Sequence, residues 1–147
     1  MNRPSVLMVR LALVHLVLGC TLGALMLAGK AVQPLAALAA WRPLHQEMLL
    51  VGWLLQLVFG VAYGILPRLP GQPRDSHPGR ALACAALLNG GVVAAAAGVQ
   101  LGMTGLAVTG RVMELAAALL FATIAWGRVR PYGLAAAVTP RAPAGRA

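Results

Sequence analysis

The chain is poor in acidic residues. Only three of its 147 residues are aspartate or glutamate, namely Glu47, Asp75 and Glu114, whereas 60% are hydrophobic and long runs carry no charge. A soluble domain of this length has no use for so much apolar surface, and apolar runs of about 20 residues are typical of membrane-spanning helices. The composition therefore predicts an all-α integral membrane protein.

Cysteine is equally scarce. The two cysteines, Cys20 and Cys84, fall in different apolar runs and form no Cys-x-x-Cys pair. We expect both to be small buried thiols, because free cysteine behaves as a small apolar side chain. Their number and spacing indicate neither a disulfide framework nor a zinc site.

Four apolar runs are long enough to cross a bilayer of about 30 Å, because an α-helix rises about 1.5 Å per residue. We place these helices at about residues 7–28, 45–66, 81–101 and 107–127, in one domain that covers residues 1–138. Residues 139–147 are expected to be a flexible tail. Residues 31–40 are expected to form a short helix at the outer interface, followed by Pro43 in the first turn of the second span.

The distribution of positive charge predicts the orientation. The N-terminus, the second connection and the C-terminus together hold nine of the 12 lysines and arginines. By the positive-inside rule both termini are cytoplasmic, in an antiparallel four-transmembrane-helix bundle of a bacterial-type inner (plasma) membrane. The net charge of +9 is then a signal of topology and of attraction to anionic membrane lipid, and no nucleic acid partner is expected.

The most informative motif lies where the second span begins, at Trp41-Arg42-Pro43-Leu44-His45-Gln46-Glu47-Met48. An ionisable side chain at the edge of the hydrocarbon costs several kcal/mol without a partner, so it indicates a functional site. Helical spacing gathers five residues of this span on one stripe, which we expect to face protein or ligand: His45, Leu49, Gly52, Gln56 and Tyr63.

Arg42-Pro43-Leu44-His45 resembles the Arg-Pro-Leu-His segment of the catalytic subunit of cbb3-type oxidases, in the haem–copper oxidase and nitric oxide reductase superfamily. The continuation through Gly52-Trp53, Gly60, Tyr63 and Leu66-Pro67-Arg68 is similar to the opening helix of NnrS-type membrane haem proteins. The resemblance covers about residues 11–68. It implies that His45 is an axial ligand of haem b and that the protein belongs with respiration.

The number of histidines limits what this resemblance allows. Reduction of oxygen or nitric oxide in that superfamily requires a metal site built from several further histidines, and the chain has three histidines in total. The protein alone therefore cannot form a complete oxidase or reductase site, and we do not expect it to be an enzyme by itself.

The second axial ligand stays open. His15 is a poor partner for His45, because the two are expected to differ in depth by about 20 Å. The remaining candidates are Met113, Met103, Met26, and His45 of a second copy in a symmetric dimer. In the alternative without haem, His45 caps the second helix and pairs with Glu47 or Glu114.

Four other polar residues are candidates for a role at the site. Arg111 and Glu114 have the i, i+3 spacing of an ion pair, although Arg111 could instead bind a haem propionate. His15 shares a face with Gly19 and Gly23, which predicts a histidine hydrogen-bonded across a close helix contact or, alternatively, a haem role. Gln56, like Asn89 and Gln100, is predicted to form a hydrogen bond between helices.

Three functions follow from these observations. The favoured one is a small haem b protein or subunit related to oxidase subunit I, for electron transfer or gas sensing. The second is a haem-free accessory or assembly subunit that docks its Ala- and Gly-rich faces on a respiratory oxidase or nitric oxide reductase. The third is a small channel or carrier that uses His15, Gln56 and Glu114.

Overall fold

The computed structural model describes residues 3–66 and 78–129, which are helical with short connections and contain no strand. The four long helices are α1 (Arg3–Ala28), α2 (Gln33–Ile65), α3 (Pro78–Gln100) and α4 (Thr104–Trp126). Each is long and apolar enough to cross a membrane, which confirms the prediction of an all-α chain with four candidate spans. The predicted tail at 139–147 and most of the second connection, with His77, lie outside the described residues.

The short helix predicted at residues 31–40 is present as Gln33–Trp41, but it continues directly into the second span, so α2 begins at residue 33 and not near residue 45. Helix α2 consists of a 3₁₀ segment (Gln33–Trp41), an α-helical turn (Arg42–Glu47), a π-helical segment (Met48–Leu55) and a final α-helix (Gln56–Ile65). Pro43 lies in the first turn of the α-helical part, as predicted. The π segment is the unusual element, since such i→i+5 turns are rare and are frequently found at functional sites.

Glycines set the contact between α1 and α2. A Cβ added at any of four glycines would lie within 3 Å of a side chain on the other helix: Gly19 faces Leu49, Gly23 faces His45, Gly52 faces His15 and Gly60 faces Met8. Over these four contacts, the residue number on α2 falls as the residue number on α1 rises. The absence of a side chain at these positions lets the two backbones approach closely.

The α3–α4 pair packs still more closely. A Cβ at Gly98 would strike the backbone of Ala107, and a Cβ at Gly110 would strike the backbone of Ala95. Ala95 and Gly98 are buried in this contact, and Ala117 is buried as well. The small-residue faces at residues 94–98 and 116–118 are therefore used for packing inside the chain.

Aromatic packing fills the end of the bundle away from His45. The rings of Phe59 and Phe121 stack with their centroids 4.0 Å apart. Arg128 donates a hydrogen bond to the carbonyl oxygen of Leu66 and lies over the ring of Tyr63. This contact joins the ends of α2 and α4.

The two cysteines differ in burial. Cys84 belongs to the core and its Sγ lies 3.3 Å from the carbonyl oxygen of Ala117, so the prediction of a buried thiol is confirmed there. Cys20 is exposed on the outer surface of α1, where the same prediction is wrong. Exposed leucine and valine side chains surround it, as suits a helix face directed at lipid.

Candidate functional site

His45 is held in one orientation by a backbone carbonyl of the neighbouring helix. Its Nδ1 lies 2.8 Å from the carbonyl oxygen of Gly19. A carbonyl oxygen can only accept a hydrogen bond, so Nδ1 carries a proton, and in the neutral form of the ring Nε2 keeps its lone pair. Histidines that bind metals are commonly oriented in this way, with one ring nitrogen donating to a carbonyl and the other free for the metal.

The ring of His45 lines a cavity of about 430 Å³. The cavity lies between the last turns of α1, the 3₁₀ segment and the first turn of the α-helical part of α2. Met26 lines it from α1, and two cations, Lys30 and Arg42, lie on its wall. Of the methionines proposed as a second axial ligand, Met26 is therefore the one that shares a cavity with His45.

The other two methionines lie elsewhere. Met113 points toward α3, where its Cε lies against Gly90. Met103 precedes the first residue of α4 and is 54% exposed. Neither lines the His45 cavity, and the sequence could not have separated them from Met26, because helix rotation decides which side chains meet.

His15 occupies a second, separate cavity. Its Nδ1 lies 3.0 Å from the carbonyl oxygen of Leu11 in its own helix, so the predicted hydrogen bond across the helix contact is wrong. The ring packs against Gly52 and lines a largely apolar cavity of about 370 Å³ with Met48.

The difference in depth between His15 and His45 is smaller than predicted. His45 contacts Gly19 and Gly23, four and eight residues beyond His15, which corresponds to about 6–12 Å along α1 and not 20 Å. The difference arises because α2 continues past His45 toward its 3₁₀ segment, so His45 lies inside the bundle. The two rings nevertheless line different cavities.

Arg111 joins the two glutamates of the chain. Its Nη1 lies 2.6 Å from Oε2 of Glu47 on α2 and 3.0 Å from Oε2 of Glu114 on its own helix. The ion pair with Glu114 was predicted and is confirmed, whereas Glu47 was missed as its third member. The Arg111 side chain is 55% exposed, while Glu47 and Glu114 are 5% and 9% exposed.

The predicted pairing of His45 with Glu47 or Glu114 is absent from the described residues. Glu47 follows His45 by two residues and so points about 200° around the helix, toward α4 and Arg111. The sequence did contain a signal for the contact between Glu47 and Arg111. An arginine and two glutamates that all lie in apolar spans are best neutralised by pairing with one another.

Gln56 is completely buried, and the rest of its predicted stripe is buried or half-buried as expected. Among the described residues neither Nε2 nor Oε1 of Gln56 has a hydrogen-bond partner. The predicted hydrogen bond between helices is therefore wrong at Gln56. It is wrong at Asn89 too, whose Nδ2 donates to the carbonyl of Ala85 in the same helix. It is confirmed at Gln100, whose Nε2 donates to the carbonyl oxygen of Ala40 in α2 at 3.4 Å.

Comparison with known proteins finds no family model, no curated protein and no solved structure that matches the chain. Within residues 3–66 and 78–129 there is also no group of three or more His, Cys, Asp or Glu side chains that could hold a metal ion. A haem iron needs fewer protein ligands than such a group supplies, because the porphyrin provides the other four.

Proposed function

We propose that this protein is a small membrane protein that binds haem b through His45, for electron transfer or gas sensing in a respiratory membrane. The observation that carries the proposal is the hydrogen bond from His45 Nδ1 to the carbonyl oxygen of Gly19. It leaves Nε2 as the only ring nitrogen able to bind iron, on a side chain that lines a cavity. Neutral imidazole is among the commonest ligands of haem iron.

The donor set around the cavity suits the same cofactor. A histidine and a methionine are the axial pair of many electron-transfer haems, and Met26 provides the thioether. Lys30 and Arg42 provide the positive charges that bind propionate carboxylates. Bound haem b would supply a one-electron redox change at its iron.

Two glycines of α1 orient the His45 ring and leave space for it. The carbonyl of Gly19 holds the imidazole in one tautomer and in one plane. Gly23 leaves the space that the ring occupies, because a Cβ at this position would lie 2.5 Å from Cε1 of His45. Both glycines therefore act on the position of the iron ligand.

We further infer an antiparallel bundle with both termini in the cytoplasm of a bacterial-type inner membrane. The α1–α2 contacts support the antiparallel arrangement, since residue 8 meets residue 60 while residue 23 meets residue 45. The distribution of lysine and arginine supports the orientation. In this orientation the His45 cavity lies in the outer half of the membrane.

The packing of the small-residue faces favours this function over a haem-free accessory subunit. Docking on a larger oxidase or reductase subunit would need these faces to be free. Gly19 and Gly23 are covered by α2, while Gly98 is covered by α4 and Gly110 by α3. The faces on which the accessory function depends are thus used within the chain.

The test is a reduced-minus-oxidised visible spectrum of detergent-purified protein, expressed with ample haem. We expect a b-type band in the wild type that is absent in His45→Ala. His15→Ala is the matched control, because it removes the same side chain from a different cavity, and it should keep the band. A featureless spectrum from folded wild-type protein would reject haem binding, and a normal band in His45→Ala would reject His45 as the ligand.

A further inference from the structure

The cluster formed by Glu47, Arg111 and Glu114 has an unbalanced charge. Two carboxylates contact one guanidinium nitrogen, Nη1 of Arg111. Helix α3 faces Glu114 with the backbone of Gly91 and contributes no charge there. With both glutamates ionised, the cluster would carry one surplus negative charge inside the apolar spans.

Both carboxylates also have an oxygen without a partner. Oε1 of Glu47 and Oε1 of Glu114 are buried and accept no hydrogen bond from the described residues. The Glu47 side chain is 5% exposed and the Glu114 side chain 10%, and both Oε1 atoms are buried, so bulk water does not surround these oxygens. A buried charge without a partner costs several kcal/mol, and such a group is usually neutralised by binding a proton.

We propose that Glu114 binds one proton and that the cluster is a proton-binding site within the membrane spans. Glu114 is the carboxylate that takes the proton, because its Oε2 lies farther from Arg111 Nη1, at 3.0 Å against 2.6 Å for Oε2 of Glu47. The protonated Glu114 then has a donor to share with the Glu47 carboxylate, and one positive charge balances one negative charge. A hydronium ion from the solvent gives up the proton: one of its O–H bonds breaks, a water molecule is left, and a new O–H bond forms on the Glu114 carboxylate.

A cavity connects the cluster with its surroundings. It has a volume of about 220 Å³ and is lined by Glu47 and Arg111 together with Pro43, Gln46, Leu50 and Val51. The half-exposed guanidinium forms part of its wall. Proton exchange therefore reaches the cluster from the side of Glu47 and Arg111, while α3 closes the side of Glu114.

The experiment uses the fact that the chain contains only two glutamates. Carbon-13 labelling of the glutamate carboxyl groups should give two signals in an NMR spectrum of the purified protein. We expect one at the position of a protonated carboxyl and one at the position of a carboxylate at neutral pH. Two carboxylate signals from folded wild-type protein would overturn the proposal, and this result does not depend on any variant.

Two glutamine variants test the charge balance itself. In Glu47→Gln, Glu114 is the sole partner of Arg111, so its signal should move from the protonated to the carboxylate position. If it stays protonated, burial alone holds the proton and the proposed balance is wrong. In Glu114→Gln the remaining signal, from Glu47, should stay at the carboxylate position. None of these signals requires haem, so the outcome is independent of the function proposed for His45.

Discussion

The imidazole of His45 fills the space left by the missing side chain of Gly23. A Cβ built on Gly23 would lie 2.5 Å from Cε1 and 3.0 Å from Nδ1 of the ring. On the same helix, the carbonyl of Gly19 accepts the hydrogen bond from Nδ1. One turn of α1 thus determines both the place and the tautomer of the histidine.

Gly23→Ala should therefore displace the ring and weaken its bond to Gly19. Overpacking of this kind costs about 1–3 kcal/mol of unfolding free energy, and the haem band proposed for the wild type should weaken or disappear. Thermal unfolding and the visible spectrum measure the two effects. Gly105→Ala in α4 is the control, since nothing lies within 4 Å of an added Cβ there. An unchanged spectrum and melting point in Gly23→Ala would show that the missing side chain of Gly23 has no role in placing His45.

Met26→Leu tests the second ligand. Leucine keeps the apolar volume but has no sulfur, so the band of a His/Met haem should shift and its iron should become accessible to carbon monoxide. Met113→Leu is the matched control, because Met113 packs against Gly90 and lies away from the His45 cavity. A shift in Met113→Leu with none in Met26→Leu would reverse the assignment.

Gln56→Met should leave the protein as stable as the wild type or stabilise it. The substitution keeps the length of the side chain and removes two buried polar atoms that have no hydrogen-bond partner among the described residues. An unmade hydrogen bond of a buried amide costs about 1–3 kcal/mol, and this cost should be recovered. Unfolding by a denaturing detergent provides the measurement. A clear loss of stability would show that the amide binds something within the bundle.

The sequence predicted features that depend on length and on spacing along one helix. Four apolar runs yielded four helices, and the i, i+3 spacing of Arg111 and Glu114 yielded their ion pair. The stripe from His45 to Tyr63 is buried or half-buried because helical geometry alone brings its members to one side.

Features that depend on two helices at once were beyond the sequence. The contact between Glu47 and Arg111 requires the relative rotation of α2 and α4, which no single helix encodes. The same applies to the choice of Met26 over Met113. The π segment could not be predicted for a different reason. Met48–Leu55 is apolar throughout, apart from one glycine, so it has no polar positions that would reveal its helical period.

That π segment lies between the His45 end of α2 and the Tyr63 end. A π turn holds more residues than an α turn, so it changes the angle by which one end of the helix is rotated against the other. Returning these eight residues to α geometry would swing His45 away from Gly19 without replacing any residue that it touches. The site thus depends on helical phase as well as on side-chain identity, which makes it more sensitive to the insertion or deletion of one apolar residue than to most substitutions in this stretch.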